Sequence, residues 1–360
     1  MRTFDVAIAG AGGIAGLHAA SLDPRMRLVA IAEVFDPARE AFAAKWSVER
    51  AYATLDDMLA KESPDLVNLC TPPGLHFEQA MACLDKGLTV LCEKPPTLSL
   101  SELDRIAVAG GDRFATISQH RFGSGAMALR SVVQEGSFGE PMTAVCHTLW
   151  YRPDSYFAVP WRGSWEQEGG GPTMGHGIHQ MDLMLSVLGP WESVIAVAVR
   201  RAKPTATEDL SHAIVTFSSG VVASVVNSLL SPRETSYLRF DFANATVELS
   251  HLYGYGDGDW KVTAVPGHEH EVEVAWAAGL AGRSRPSGHG SQFAAVLDAI
   301  QAGQAPPVGV ADARATLELI AAVYASAHGG RAVRRGEIGP GSPFYHRMDG
   351  GFGVASDQLG

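Results

Sequence analysis

Three glycines and one acid carry the first chemical signal. Gly10-Ala11-Gly12-Gly13-Ile14-Ala15 follows the apolar, β-prone run Phe4–Ala9, and a second apolar run, Leu28–Ala32, ends in Glu33. Strand, glycine turn, helix, strand and acid in that order form a mononucleotide-binding βαβ unit. Gly10 permits the tight turn, Gly12 lets a pyrophosphate approach the backbone, and Ala15 is small enough for close helix–strand packing. Gly13 and Ile14 open the helix whose positive end receives the pyrophosphate. Glu33 lies about twenty residues past the turn, where a carboxylate hydrogen-bonds both ribose hydroxyls. Its charge repels a 2′-phosphate, and Val34-Phe35 supply no serine–arginine pair to bind one. The expected cofactor is therefore NAD, with NADP disfavoured; Arg39 is the nearby cation able to swing toward such a phosphate.

The elements around this unit alternate. Short apolar strands at Ala51-Tyr52, Leu66–Cys70, Leu88–Cys92 and Phe114–Ser118 are separated by helical segments, which predicts a doubly wound parallel sheet of Rossmann type. Ligands bind such sheets at the carboxyl ends of the strands. That rule gathers Gly10–Gly13, Glu33, Thr71-Pro72-Pro73, Glu93-Lys94 and Gln119-His120-Arg121 around one expected crevice. From about residue 122 the pattern changes. Strand-like segments at 141–150, 191–200, 210–217, 220–229, 236–242, 245–250 and 259–264 predict an open, mostly antiparallel sheet, interrupted by a helix from Gly177 to Leu188. Helices at Ser291–Gln301 and Asp312–Ala327 close the fold, and the glycine-rich tail from Gly336 reads as a packing arm or a loose end. The expected division is an α/β dinucleotide-binding domain over 1–121 and an α+β substrate-binding and oligomerisation domain over 122–360.

Together, Gly10–Ala15, Thr71-Pro72-Pro73 with His76, Glu93-Lys94-Pro95, and Gly169-Gly170-Gly171 followed by His179 and Asp182 resemble the Gfo/Idh/MocA oxidoreductase family over nearly the whole chain. The resemblance implies hydride transfer at a secondary carbinol of a sugar, cyclitol or sugar acid, and a homodimer or homotetramer built on the open sheet. Hydride transfer needs a nicotinamide, a base for the hydroxyl proton, and a cation for the developing alkoxide. Lys94, at a strand end, suits the last role. His179 falls at the family's catalytic histidine, and imidazole titrates near neutrality. The aspartate or asparagine that many members carry four residues earlier is Gly175 here. His176 and His179 are expected on one helix face, with Asp182 as the carboxylate that orients His179. No metal is expected, although two histidines at this spacing can share one.

On the connection before the three glycines, the resemblance takes Trp161-Arg162 toward the cofactor and leaves Arg152 or Tyr156 for the substrate. His120, Arg121, His176 and Asp182 are further substrate candidates; Glu208-Asp209 and His289 are weaker ones. The net charge of −11 argues against nucleic acid or an anionic membrane as partner. No apolar run is long enough to span a membrane. Phe4 opens a strand at once, leaving no room for a signal peptide, and four cysteines in apolar stretches read as reduced thiols of a cytoplasmic protein. Two other readings stand beside the dehydrogenase: a non-catalytic NAD- or sugar-binding regulator, and a hydrolase or lyase assisted by bound NAD.

Overall fold

The computed structural model describes residues 2–354. The chain divides into two units, Met1–Ile117 with His289–Arg314, and Ser118–Gly288 with Ala315–Gly360. Residues 289–314, which the sequence assigned to the second domain, thus return to the first. The cause is an apolar stripe. Phe293, Val296 and Leu297 of the His289–Gln301 helix are fully buried in one cluster with Phe4, Val6, Leu66 and Leu91. Without that helix these strand residues would face water, at about 1.5–3 kcal/mol per large side chain.

The first unit holds β1 (Phe4–Ala9), β2 (Met26–Ala32), β3 (Arg50–Tyr52), β4 (Leu66–Leu69), β5 (Thr89–Cys92) and β6 (Phe114–Thr116). Their order is β3-β2-β1-β4-β5-β6 and every neighbouring pair is parallel. A parallel sheet buried on both faces reads as continuous apolar runs, which is why β1, β4 and β5 are plain in the sequence. A second buried cluster joins Ile8 and Ile31 of the sheet to Ala15 and Ala19 of the helix after the glycine turn. Gly10 has φ +95°, and a Cβ there would lie 2.7 Å from the Cys70 carbonyl oxygen, so only glycine fits the turn.

The second unit holds β7 (Pro141–Tyr151), β8 (Trp191–Val199), β9 (Leu210–Phe217), β10 (Val222–Ser228), β11 (Leu230–Phe242), β12 (Ala245–His251), β13 (Trp260–Ala264) and β14 (Val333–Arg334). The sheet order is β13-β12-β11-β7-β10-β9-β8-β14. It is mixed, because β7 and β10 pair in parallel while the other neighbours are antiparallel. Burial alternates along β8 and β9, leaving Ile195, Val197 and Ile214 about half exposed on the open face. The Ile178–Leu188 helix is buried at every position but Ser186, its polar residues His179, Gln180 and Asp182 included.

Two further segments complete the second unit. Glu269–Leu280 is helical, although His270-Glu271-Val272-Glu273-Val274 alternates like a strand. Only Val272 and Gly279 of this helix are buried, so little apolar periodicity marked it. The glycine-rich tail, as far as it is described, folds back on its own unit. Phe344, Tyr345 and Met348 are buried, and Phe352 stacks on His328 at 4.2 Å. Among the described residues no helix is long and apolar enough to cross a membrane.

Candidate functional site

In the first unit the glycine turn leads from β1 into the Gly13–Ala20 helix. A Cβ built on Gly12 or Gly13 meets nothing within 4 Å. The backbone at the helix N-terminus is therefore open on the side where a pyrophosphate would lie, and the residues present fit a dinucleotide. Glu33 is set beside that turn. Its Oε2 accepts from the Ala11 N–H at 2.8 Å and its Oε1 from the Phe35 N–H at 2.9 Å. Arg39 donates to the Glu33 carbonyl at 2.8 Å and pairs with Asp36 at 2.7 Å. The arginine that could have received a 2′-phosphate already has an acid of its own.

The turn after β5 is held from inside. Glu93, expected beside the cofactor, is only 4% exposed. Its Oε1 accepts from His18 Nε2 at 2.9 Å and His289 Nε2 at 3.0 Å, and its Oε2 from the Lys94 N–H at 3.1 Å. Burial pushes the Glu93 carboxyl up, but the two histidine hydrogen bonds outweigh it and hold the group well below the usual carboxylate range. Burial lowers His18, more than Glu93 raises it. Nδ1 of His18 has no hydrogen-bond partner among the described residues, which fits a neutral ring protonated on Nε2. His289, a weak substrate candidate in the sequence, is instead buried in this unit.

His76 is also fully buried. Its Nδ1 lies 2.7 Å from the Pro95 carbonyl oxygen and its Nε2 2.9 Å from that of Thr71. It thus ties the Thr71-Pro72-Pro73 turn to the Glu93-Lys94-Pro95 turn. The Thr71 hydroxyl donates to Gln79 at 2.6 Å. Between Leu91 and Thr97, Lys94 is the one residue that is not fully buried.

In the second unit His179 lies in the first turn of the Ile178–Leu188 helix and is 4% exposed. Its ring is 5.1 Å from that of His120 and 5.9 Å from that of Tyr253. His120 is also 5.1 Å from His251, whose Nε2 is 3.3 Å from Gln180 Nε2. Burial pushes the His251 imidazole down to about 4. His120 is fixed by its backbone, since Tyr255 donates to its carbonyl. Asp182, expected to orient His179, meets Arg121 with both oxygens: Nε to Oδ2 and Nη2 to Oδ1, each at 2.7 Å. Oδ1 also accepts from the Thr316 hydroxyl at 3.2 Å.

His176 requires a correction. It lies outside the helix that carries His179, as the residue that ends the short Pro172–Gly175 helix, so the two do not share a helical face. Its ring packs 5.1 Å from Trp150 and 6.2 Å from Tyr156. Between the two helices Gly177 is pressed on Asn227, whose Oδ1 would be 2.0 Å from an added Cβ. At Gly175 an added Cβ meets nothing within 4 Å.

The connection before the three glycines is an arginine–aromatic stack. Arg162 lies 4.0 Å over Tyr156 and 4.3 Å over Trp161, and its partner acid is Glu168 at 3.4 Å. Arg152 lies 4.8 Å over Trp150 and pairs with Glu234 at 3.2 Å. Burial raises the Tyr156 phenol. Glu208 and Asp209 serve the backbone. Glu208 accepts from the N–H groups of Gly171 and Thr173 and from Tyr324, and Asp209 from those of Arg201, Ala202 and Lys203. Sequence reasoning missed His18, His251, Tyr253 and Tyr255. The last three crowd the end of β12, and His251-Leu252-Tyr253-Gly254-Tyr255 at a strand end was the available signal.

Two family models match. The NAD-binding Rossmann fold of the GFO/IDH/MocA oxidoreductases covers residues 4–111, and the C-terminal domain of the same family covers 126–249. The D-glucoside 3-dehydrogenase of Escherichia coli is 28% identical over 91% of this chain and 96% of its own. The scyllo-inositol 2-dehydrogenase (NADP(+)) of Bacillus subtilis is 24% identical over 78% of this chain and 81% of its own. The WlbA dehydrogenase of Bordetella pertussis, solved with NADH and UDP-GlcNAcA, superposes with a TM-score of 0.81 at 25% identity, covering 92% of this chain and 98% of its own. These matches span both units and show the family: the chain belongs to the GFO/IDH/MocA family and is an NAD(P)-dependent oxidoreductase.

Proposed function

We propose that this protein transfers a hydride between NAD and a secondary carbinol or ketone of a sugar, cyclitol or sugar acid. The observation that carries the reading is Lys94, pinned through its own backbone in the unit that holds the glycine cradle, while its side chain is left partly exposed. Bound NAD supplies the hydride acceptor. The Lys94 ammonium polarises the reacting oxygen, and His179 takes the carbinol proton. Gly10, Gly12, Gly13, Ile14 and Glu33 hold the dinucleotide, with Thr71, Pro72 and Pro73 beside them and Trp161-Arg162 on the nicotinamide half. His120, Arg152, Tyr156 and His176 serve the substrate; the arginine fork suits an acidic sugar.

Glu33 supports NAD over NADP. Binding a 2′-phosphate would place a dianion beside its carboxylate, and Arg39 would have to leave Asp36 to compensate. Specificity constants for both cofactors check this: NAD is preferred, and Glu33→Ser narrows the gap. The second unit is assigned to substrate binding and assembly. Ile195, Val197 and Ile214 on the open sheet face suit a homodimer or homotetramer, which light scattering measures. Four free, buried cysteines support a cytoplasmic protein, and the net charge of −11 supports the absence of nucleic-acid and anionic-membrane partners. The deciding experiment is a screen of inositols, aldoses and uronates with NAD, followed at the reduced-nicotinamide band. Product without net NADH would replace the dehydrogenase by NAD-assisted elimination or hydrolysis.

A further inference from the structure

The ionised Glu93 is expensive where it stands. A lone carboxylate in a protein interior costs several kcal/mol after relaxation, and an apolar side chain of similar volume is often at least as stable. Stability alone therefore does not account for a glutamate at this point in the core. Its hydrogen bonds show what it does. One oxygen gathers two imidazoles from distant parts of the chain, His18 in the helix of the glycine turn and His289 at the start of the returning helix. The other oxygen accepts from the backbone N–H of Lys94. The His18 and His289 rings are 4.8 Å apart, and each lies within 6.1 Å of Phe293. The acid cannot rotate without breaking three hydrogen bonds and a packed ring cluster.

We propose that His18 and His289 are positioning residues for Lys94: they lock the Glu93 carboxylate, and the locked carboxylate fixes the backbone from which the lysine side chain projects. The inference rests on Lys94 being the group that meets the reacting oxygen. His76 holds the same turn one residue on, through the Pro95 carbonyl. The lysine is thus anchored on both sides, and one anchor runs directly to the helix that receives the pyrophosphate. The same three side chains have the donor types of a metal site, and their ligand atoms lie within 4.8 Å of one another. Their observed separations of 2.9 and 3.0 Å are hydrogen-bond lengths, and both are made to a single carboxylate oxygen.

Two variants of one residue test this. His289→Phe keeps the ring and removes the donor, whereas His289→Gln keeps an N–H donor of similar reach. Hydrogen–deuterium exchange of the peptide spanning Glu93–Pro96, NADH affinity by fluorescence, and kcat on the fastest substrate of the screen are read for both. His289→Phe is expected to exchange its Lys94 amide faster and to lose kcat on the order of 10-fold, with NADH affinity within about 3-fold. His289→Gln is expected to recover most of both losses. If His289→Phe proves unstable, His18→Gln against His18→Leu repeats the comparison from the other side. Unchanged exchange in the donor-less variants, or equal losses in the donor-keeping ones, overturns the proposal. So does stoichiometric zinc in the purified protein that disappears in His289→Gln. Near-native turnover in Lys94→Ala would sink the catalytic reading of the lysine; the exchange measurement does not depend on turnover and separates that failure from failure of the clasp.

Discussion

The two units hold their key residues by different means. In the first, Lys94 is fixed through main-chain atoms: its own N–H is bound by Glu93, and the following Pro95 carbonyl is bound by His76. In the second, His179 is fixed by neighbouring side chains, on a helix buried on all sides and among the rings of His120 and Tyr253. Backbone anchoring fixes where the lysine side chain starts, and that side chain stays partly exposed. Ring packing gives the histidine a place set by several neighbours at once. Disturbing the first kind of holder should move a group, whereas disturbing the second should change its proton affinity.

The largest expected effects remove the two groups themselves. Lys94→Ala and His179→Ala should each lower kcat by on the order of 10²-fold or more, from lost charge stabilisation and lost proton transfer. NAD affinity should change much less in both, by fluorescence titration. A chelator should leave the wild-type rate unchanged. Inactivation by a chelator, rescued by a divalent ion, with His176→Ala as damaging as His179→Ala, would point to an ion shared by the two histidines.

Next comes the Arg121–Asp182 pair, whose side chains are 13% and 4% exposed. Arg121→Met leaves a buried carboxylate without its fork and should cost about 3–5 kcal/mol in urea unfolding. Asp182→Asn should be milder in stability. One turn from His179, it should lower turnover and shift the pH profile, the signature of a group acting through the histidine. Unmoved pH limbs in Asp182→Asn would reduce this pair to a structural bridge.

His251 allows a direct test of the packed cluster. Its imidazole is held near 4, while in the unfolded chain it protonates near 6.5. Between those values the unfolded chain binds a proton that the folded chain refuses, so stability falls as pH drops from about 6.5 to about 4 and is unaffected above. The loss should reach about 1–2 kcal/mol by pH 5, allowing for the ring's partial exposure. Unfolding free energies from urea titration at pH 7 and pH 5 should differ less in His251→Gln than in the wild type by that amount.

The same contrast explains what the sequence could and could not reveal. The first unit was legible because its signals are local: a strand, a glycine turn and an acid within Phe4–Glu33, and buried strands that read as apolar runs. Glu93 itself was legible, but its role was not, because its partners lie 75 residues before it and 196 after. In the second unit the strands were visible by their alternation, yet the parallel pairing of β7 with β10 comes from a crossover that no local pattern records. The rings around His179 come from the 119–122 turn and the end of β12, which only the sheet brings together. Gly175 and Gly177 looked alike in the sequence because spacing carries no information about what faces a missing side chain.

Those two glycines give the smallest predicted effect. At Gly175 the backbone is helical and an added Cβ meets nothing within 4 Å, so Gly175→Ala removes unfolded-chain entropy without strain. It should raise stability by about 0.4–1 kcal/mol and leave turnover within a few-fold. Gly175→Asp places its Cβ in the same open space and puts a carboxylate four residues before His179, the position at which the family resemblance implies an aspartate or asparagine. If His179 is the proton shuttle, this variant should move the acid limb of the pH–rate profile upward while Gly175→Ala does not, since only the former adds a charge that favours imidazolium. Gly177→Ala is the control with the opposite sign, because its Cβ would fall 2.0 Å from Asn227 Oδ1 and something must shift. It should destabilise by about 1–3 kcal/mol. Equal stabilities for Gly175→Ala and Gly177→Ala would mean that Asn227 does not press on this turn.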